Sequence, residues 1–308
     1  MCDISLFWFT LFIILLLLID LFRHRHAHSI SFKSALKASA FWIFLALLFN
    51  VFVYICQGKE KALEYLAGYI VEKSLSVDNL FVFLVIFKYF RIDRKYQHKV
   101  LFWGVLGAIV FRALFIWIGL ELVNQYHFIL TIFALFLIYA GFKMMFPQKD
   151  IDPDKNVIIK LVKKIFPVTD QDNGRFFYKG AITPLFLSLV AIETSDILFA
   201  LDSIPAVFAI TRDPFIVYTS NIFAILGLRS LYFALSGLLD TFVYLHWALA
   251  AILIFVGVKM IIEPYYKVPV GYSLVFIFGT LAVAFGAGRE NAQNPSRETD
   301  QSRYKDSD

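Results

Sequence analysis

The sequence is poor in charge and almost without cysteine. Only 17% of its 308 residues are Asp, Glu, Lys or Arg, against roughly 25% in an average soluble domain. Taken with the long apolar runs described next, so low a charge excludes a soluble enzyme, a nucleic-acid-binding domain and a disordered scaffold. The two cysteines, Cys2 and Cys56, are too few for a disulfide framework and lack the spacing of a metal site. Both fall at the same membrane face in the topology below, so a single bridge stays open. No phosphate-binding loop of the GxxxxGK type is present.

What is abundant is apolar surface. Hydrophobic residues make up 59% of the chain, Phe alone contributes 35, and the mean hydropathy is +0.70. Apolar runs of about 20 residues recur along nearly the whole length, the mark of a polytopic, all-α membrane protein. The runs are continuous and do not alternate, which argues against an outer-membrane barrel. The net charge of +5 does not point to DNA, because a membrane protein gathers Lys and Arg on its cytoplasmic loops.

About nine transmembrane helices are expected, at 4–22, 35–56, 66–88, 100–122, 127–146, 181–210, 215–237, 243–262 and 269–287. The first run has its basic cluster after it rather than before it, so it reads as a retained helix and not a signal peptide. Positive charge gathers in three loops: Arg23 to Lys37, Lys88 to Lys99, and Lys149 to Lys179. With nine spans all three lie on one side. By the positive-inside rule that side is the cytoplasm, with the N-terminus outside and the C-terminus inside. The loop at 147–180 contains an amphipathic stretch, Val157 to Phe166, suited to a short helix on the inner membrane surface. The tail from 289 to 308 is polar and is expected to be disordered.

The main organisational signal is an internal repeat. Ser76-Val77-Asp78-Asn79-Leu80 resembles Ala200-Leu201-Asp202-Ser203-Ile204 at an offset of 124 residues, and the same offset carries Glu72 onto Asp196. Phe111-Arg112-Ala113-Leu114-Phe115 resembles Leu228-Arg229-Ser230-Leu231-Tyr232, and Gly141-Phe142-Lys143-Met144 resembles Gly257-Val258-Lys259-Met260, at offsets of 117 and 116. Each unit, 66–146 and 181–262, holds three spans. Three is odd, so the second copy enters the membrane from the opposite face, giving a 3+3 inverted-topology repeat. Two accessory helices in 1–65 precede it, and a last helix in 263–288 follows. This organisation favours a transporter, with its substrate site near the midplane at the repeat interface.

Charges inside the apolar runs mark the candidate site. They are Glu72 and Asp78, with Asn79; Glu193, Asp196 and Asp202; and Arg112 and Arg229, with Asn221 nearby. Each acid or Arg at a helix centre costs about 2.5–3.5 kcal/mol on insertion scales, so partners are required. Asp78, Glu193, Asp196 and Asp202 carry four negative charges against two from Arg112 and Arg229. One divalent cation would balance the remainder, and so would protonation. Helix-tying ion pairs are the purely structural alternative, strongest for the two arginines. Lys143 and Lys259, near span ends, are expected to snorkel. The expected arrangement is a column of carboxylates, with Glu193 and Asp196 at the inner mouth, Asp78 and Asp202 in the middle and Glu72 at the outer mouth. Pro205 removes a hydrogen bond to the carbonyl of Leu201, beside Asp202, and so frees a second oxygen there. The donors are oxygen only, which suits hard cations such as Mg, Ca and Mn. His24, His26 and His28 form a basic loop that could sense metal or pH.

These residues resemble a known family. The segments Ser74 to Phe83, Glu193 to Ala206 and Asn221 to Arg229 are similar to the signature segments of TerC-family integral membrane proteins, and the length and span count to its Alx-type bacterial branch. The resemblance implies manganese export across the bacterial plasma membrane, with Asp78, Glu193, Asp196 and Asp202 as metal-site residues. The expected function is therefore export of a divalent metal ion, most simply Mn²⁺, by alternating access with protons as counter-ion, and with no enzymatic activity and no resident cofactor. A membrane scaffold that aids metallation or assembly of exported proteins, or a tellurium-resistance component, is the alternative. An intramembrane aspartyl protease fits poorly, because five acids occur where two would serve.

Overall fold

The computed structural model describes Phe9, 11–13, 15–16, 32–126, 128–146, 156–169, 174–235, 244–266 and 268–293. Of the expected first span only Phe9, 11–13 and 15–16 are described, and the His24 to His28 loop, His127, Cys2 and the tail beyond Gln293 lie outside the described residues. The elements are α1 (Phe32–Gln57), α2 (Lys59–Tyr89), α3 (Arg94–Gln125), α4 (Phe128–Met145), α5 (Val157–Ile165), β1 (Phe177–Tyr178), β2 (Ala181–Ile182), α6 (Pro184–Phe208), α7 (Pro214–Ile225), α8 (Leu228–Leu235), α9 (Leu245–Ile262) and α10 (Val270–Gln293).

Seven helical segments among the described residues are long and apolar enough to cross a membrane. They correspond to the expected spans apart from 4–22 and 66–88. The latter falls on α2, which is 31 residues long but carries Glu72, Lys73 and Asp78 mid-run, besides the charges at its ends. Every backbone group in a spanning helix is bonded within its own segment, which is why this architecture suits a lipid environment. The outer faces fit that setting: Phe44, Ile55, Trp117, Leu135 and Val275 are exposed.

Local signals set the helix starts. Thr183 caps α6 by accepting from the Phe186 amide, and Asp213 caps α7 by accepting from Phe215 and Ile216. In both helices proline follows the cap, where its missing N–H costs nothing. Asn156 caps α5 in the same way. That helix is amphipathic: Ile159 is buried, whereas Val157, Leu161 and Ile165 are exposed. A two-residue hairpin pairs Phe177 with Ile182 and Tyr178 with Ala181, so residues 181 and 182, expected at the start of a span, belong to a strand.

The expected span 215–237 is not one continuous helix. It breaks after Leu226, where Gly227 adopts φ +81°, and resumes as α8. Only glycine takes this left-handed backbone without strain. In the packing, α4 lies against α9, α2 crosses α6 and α7, and α3 crosses α6 and α7; α1 covers α2 and α8, and α10 lies against α9 and α2.

Candidate functional site

Four helices meet at a single guanidinium. Arg112 of α3 is fully buried. Its Nε donates to Asp196 Oδ2 at 3.2 Å and its Nη2 to Asp196 Oδ1 at 2.9 Å. Nη1 donates to Glu72 Oε1, and to Ser203 Oγ and Asn221 Oδ1, both at 3.3 Å. One side chain thereby ties α3 to α2, α6 and α7. Arginine suits this place because its planar fork meets a carboxylate at two points.

This geometry corrects the expected column. Glu72 and Asp196, placed at opposite mouths by their positions along the spans, converge on the same guanidinium. The two acids that the offset of 124 residues pairs share one arginine instead of marking two ends of a path. Asn221 is part of the same cluster. Arg229 is buried on α8, beyond the break that follows Asn221's helix.

The cluster has more acid than it has base. Two carboxylates face one guanidinium, and several oxygens are left over. Glu72 Oε2, Ser76 Oγ one turn further along α2, and Glu193 Oε2 are buried with no hydrogen-bond partner among the described residues. Glu193 precedes Asp196 by three residues on α6 and its carboxylate lies against Gly107 of α3. A buried acceptor without a partner costs about 1–3 kcal/mol, and more when charged. A proton or a cation on these oxygens would remove that cost.

Beside the cluster is a cavity of about 660 Å³ between α2, α4, α6 and α9. Its polar lining consists of Asn79, Lys143, Ser195, Asp202 and His246, and its walls include Phe136, Tyr139 and Phe199. Ser195 and Asp202 face the cavity while their chain neighbours Asp196 and Ser203 bond Arg112, so the cavity and the cluster are adjacent faces of α6. Asp202 is half-buried and Lys143 lies within electrostatic reach of it. The Asp78 side chain lies outside the described residues. Among the described residues, no three of His, Cys, Asp and Glu converge closely enough to hold a metal ion.

A second polar group, missed by reasoning from mid-span charges, joins the start of α2 to the α6–α7 loop. Lys61 pairs with Glu64 at 2.9 Å and with Asp213 at 3.3 Å, and the hydroxyl of Thr211 donates to Glu64 at 2.5 Å. Lys259, expected to snorkel, is instead buried within electrostatic reach of Glu64 and Glu263. Burial alone would lower the pKa of Lys61, but the Glu64 and Asp213 carboxylates outweigh it and hold the ammonium above the ordinary lysine value of 10.5.

The model of the integral membrane protein TerC family matches residues 57–295. STKORF319, an uncharacterized membrane protein of Myxococcus xanthus, is 46% identical over 286 residues, covering 91% of this chain and 90% of that protein. A Salmonella typhi protein provisionally named the membrane-bound redox modulator Alx is 43% identical over 291 residues, covering 89% and 90%. Its Escherichia coli K12 namesake is 43% identical over 294 residues, covering 90% and 91%. No solved structure matches the chain.

Proposed function

This chain belongs to the integral membrane protein TerC family, and we propose that it exports a divalent metal ion, Mn²⁺, from the bacterial cytoplasm by alternating access coupled to proton entry. The observation that carries this reading is the surplus of buried acid at Arg112 beside a cavity that presents Asp202, Asn79 and Ser195. The proposed cargo sites are Asp202, Asn79 and Asp78. Glu72, Glu193, Asp196 and Arg112, with Asn221, form the charged cluster whose protonation accompanies metal movement.

An inverted repeat is supported by a reciprocal contact. A Cβ added at Gly141 would fall 2.6 Å from Ile254 Cγ1 and 2.8 Å from the Ala250 carbonyl oxygen. One added at Gly257 would fall 2.7 Å from both Ile138 Cγ1 and the Ala134 carbonyl oxygen. Gly141, Ile138 and Ala134 map onto Gly257, Ile254 and Ala250 at the single offset of 116. Such mutual contacts are what a twofold relation between two copies produces. The cross-packing agrees: α2 lies on α7, and its counterpart α6 lies on α3.

On the nine-span topology, the cavity residues Tyr139 to Phe146 and His246 lie toward the cytoplasm, whereas Lys61, Glu64, Thr211 and Asp213 lie toward the outside. The arrangement then reads as an inward-open exporter with its outer end locked. Arg229, with Lys143, adjusts the field along the path. Moving a 2+ ion outward against a membrane negative inside costs about 4.6 kcal/mol at about 100 mV, taking ~2.3 kcal/mol per charge, so a driving ion is needed. Everted vesicles with an acidic lumen should accumulate Mn²⁺, and those bearing Asp202→Asn should not. Accumulation that ignores the pH gradient removes the antiport step. No accumulation at all removes export, and a scaffold role would survive Asp202→Asn.

A further inference from the structure

The break between α7 and α8 is occupied by an internal cation. The Lys73 ammonium, from the middle of α2, donates to the Ala224 carbonyl oxygen at 3.0 Å and to the Leu226 carbonyl oxygen at 3.3 Å. These are end-of-helix oxygens. The Leu226 amide bonds Ile222 O, but the carbonyls that follow have no further helical amide to accept, because Gly227 turns the chain away. Phe223, Ala224, Ile225 and Leu226 are all buried, where water cannot satisfy such oxygens and each one left alone costs several kcal/mol. They also carry the negative end of the helix dipole, which favours a cation.

The far side of the break is closed by Trp42 of α1. Three of its side-chain atoms lie 2.8 Å from where a Cβ at Gly227 would sit. Glycine at 227 is thus required twice, by its backbone angle and by the indole.

The repeat supplies an internal control. At the offsets of 124 and 117, Lys73 corresponds to Ile197 and Gly227 to Val110. Val110 lies within α3, which runs unbroken from Arg94 to Gln125. Where the cation is replaced by an isoleucine, the facing helix has no break. The lysine of the first unit meets the interruption in the second, and the reciprocal pair, Ile197 of the second unit and Val110 of the first, has neither lysine nor break.

Carbonyls of an interrupted membrane helix are the donor set with which inverted-repeat transporters hold monovalent ions. We propose that Lys73 is a positioning residue whose ammonium is a tethered monovalent cation, filling a carbonyl site at the Leu226–Gly227 break and holding α7 and α8 in register; emptied of the lysine, this site takes a small free cation. The inference goes beyond metal export and does not depend on which ion the protein carries.

The test is chemical rescue read as stability. Lys73→Ala removes the tether and leaves room. The purified variant in detergent should unfold at a lower temperature than wild type, and ethylammonium chloride should restore much of the difference. Choline chloride, too bulky for the space, should not, and wild type should respond to neither. Lys73→Met, which fills the space with an uncharged chain of similar length, should be destabilised and unresponsive. If Lys73→Ala fails to accumulate in membranes, its yield from cells grown with and without ethylammonium becomes the readout, and recovery is expected. A Lys73→Met protein as stable as wild type overturns the proposal. So does a Lys73→Ala protein whose stability or yield ignores ethylammonium.

Discussion

Arg112 grips Asp196 at two points, Nε to Oδ2 at 3.2 Å and Nη2 to Oδ1 at 2.9 Å, with both residues buried. The same guanidinium also holds Glu72. Removing one partner of a buried ion pair leaves an uncompensated charge and costs about 3–5 kcal/mol. Arg112→Met should therefore lower the unfolding temperature of the detergent-purified protein markedly. Arg112→Lys should recover only part of the loss, because a point charge cannot reproduce the fork. If Arg112→Met is as stable as wild type, the carboxylates are neutralised by something other than this arginine.

The reciprocal contact between α4 and α9 makes a prediction about symmetry. Alanine at Gly141 or at Gly257 would push a methyl against a backbone carbonyl, at 2.8 Å or 2.7 Å. Backbone cannot rotate out of the way as a side chain can. Overpacking of this kind costs about 1–3 kcal/mol, and the two substitutions should cost similar amounts. Gly279→Ala, on α10 with nothing within 4 Å, is the control and should be neutral or mildly stabilising. Thermal unfolding of the three variants decides it, and a large cost at only one of the paired glycines would count against the twofold relation.

How much of this was legible in the sequence differs by feature. The spans follow from apolar runs, because lipid demands length and hydropathy of every crossing helix. The charges of the Arg112 cluster stand out for the same reason. Their grouping does not. Position along a span suggests where an acid sits in depth, yet Arg112 is long enough to draw Glu72 and Asp196 onto one centre. The break at Gly227 carries only a weak signal, one glycine in an apolar run. Lys73 carries a signal that the mid-span acids and arginines overshadow: a lysine in mid-span has to find oxygen. The lock at Lys61, Glu64, Thr211 and Asp213 lies at span ends, where charge is ordinary and pairing cannot be read from composition.

On the proposed export, Asp202 is the residue that should separate transport from folding. It is half-buried on the cavity wall, and no salt bridge within 4.0 Å joins it to another described residue. Asp202→Asn keeps the size and removes the charge. The variant should unfold at nearly the wild-type temperature while cells carrying it retain as much Mn as cells without the protein, measured by elemental analysis. Wild-type Mn levels in those cells would remove Asp202 from the cargo path.

The Lys61 lock tests which end of the molecule is closed. Lys61 and Asp213 are partly exposed, with side chains 34% and 27% accessible, so their pairing is worth only about 0.2–1 kcal/mol. That is enough to move a two-state equilibrium about fivefold at most, since 1.4 kcal/mol corresponds to tenfold. If the pairing holds the outer end shut, Lys61→Met should shift the protein toward its outward-open form and raise the apparent KM for cytoplasmic Mn²⁺ by up to about that factor, with little change in unfolding temperature. High salt should weaken the wild-type lock in the same direction by screening. The pH dependence has a definite sign. The carboxylates raise the Lys61 pKa above 10.5, so the contribution of its charge is fully present below that value and is lost only as pH climbs through the raised one. Titration of Lys61 therefore adds no pH dependence to transport below 10.5. A KM for cytoplasmic Mn²⁺ that falls in Lys61→Met would mean that this contact stabilises the other conformation and that the cavity opens outward.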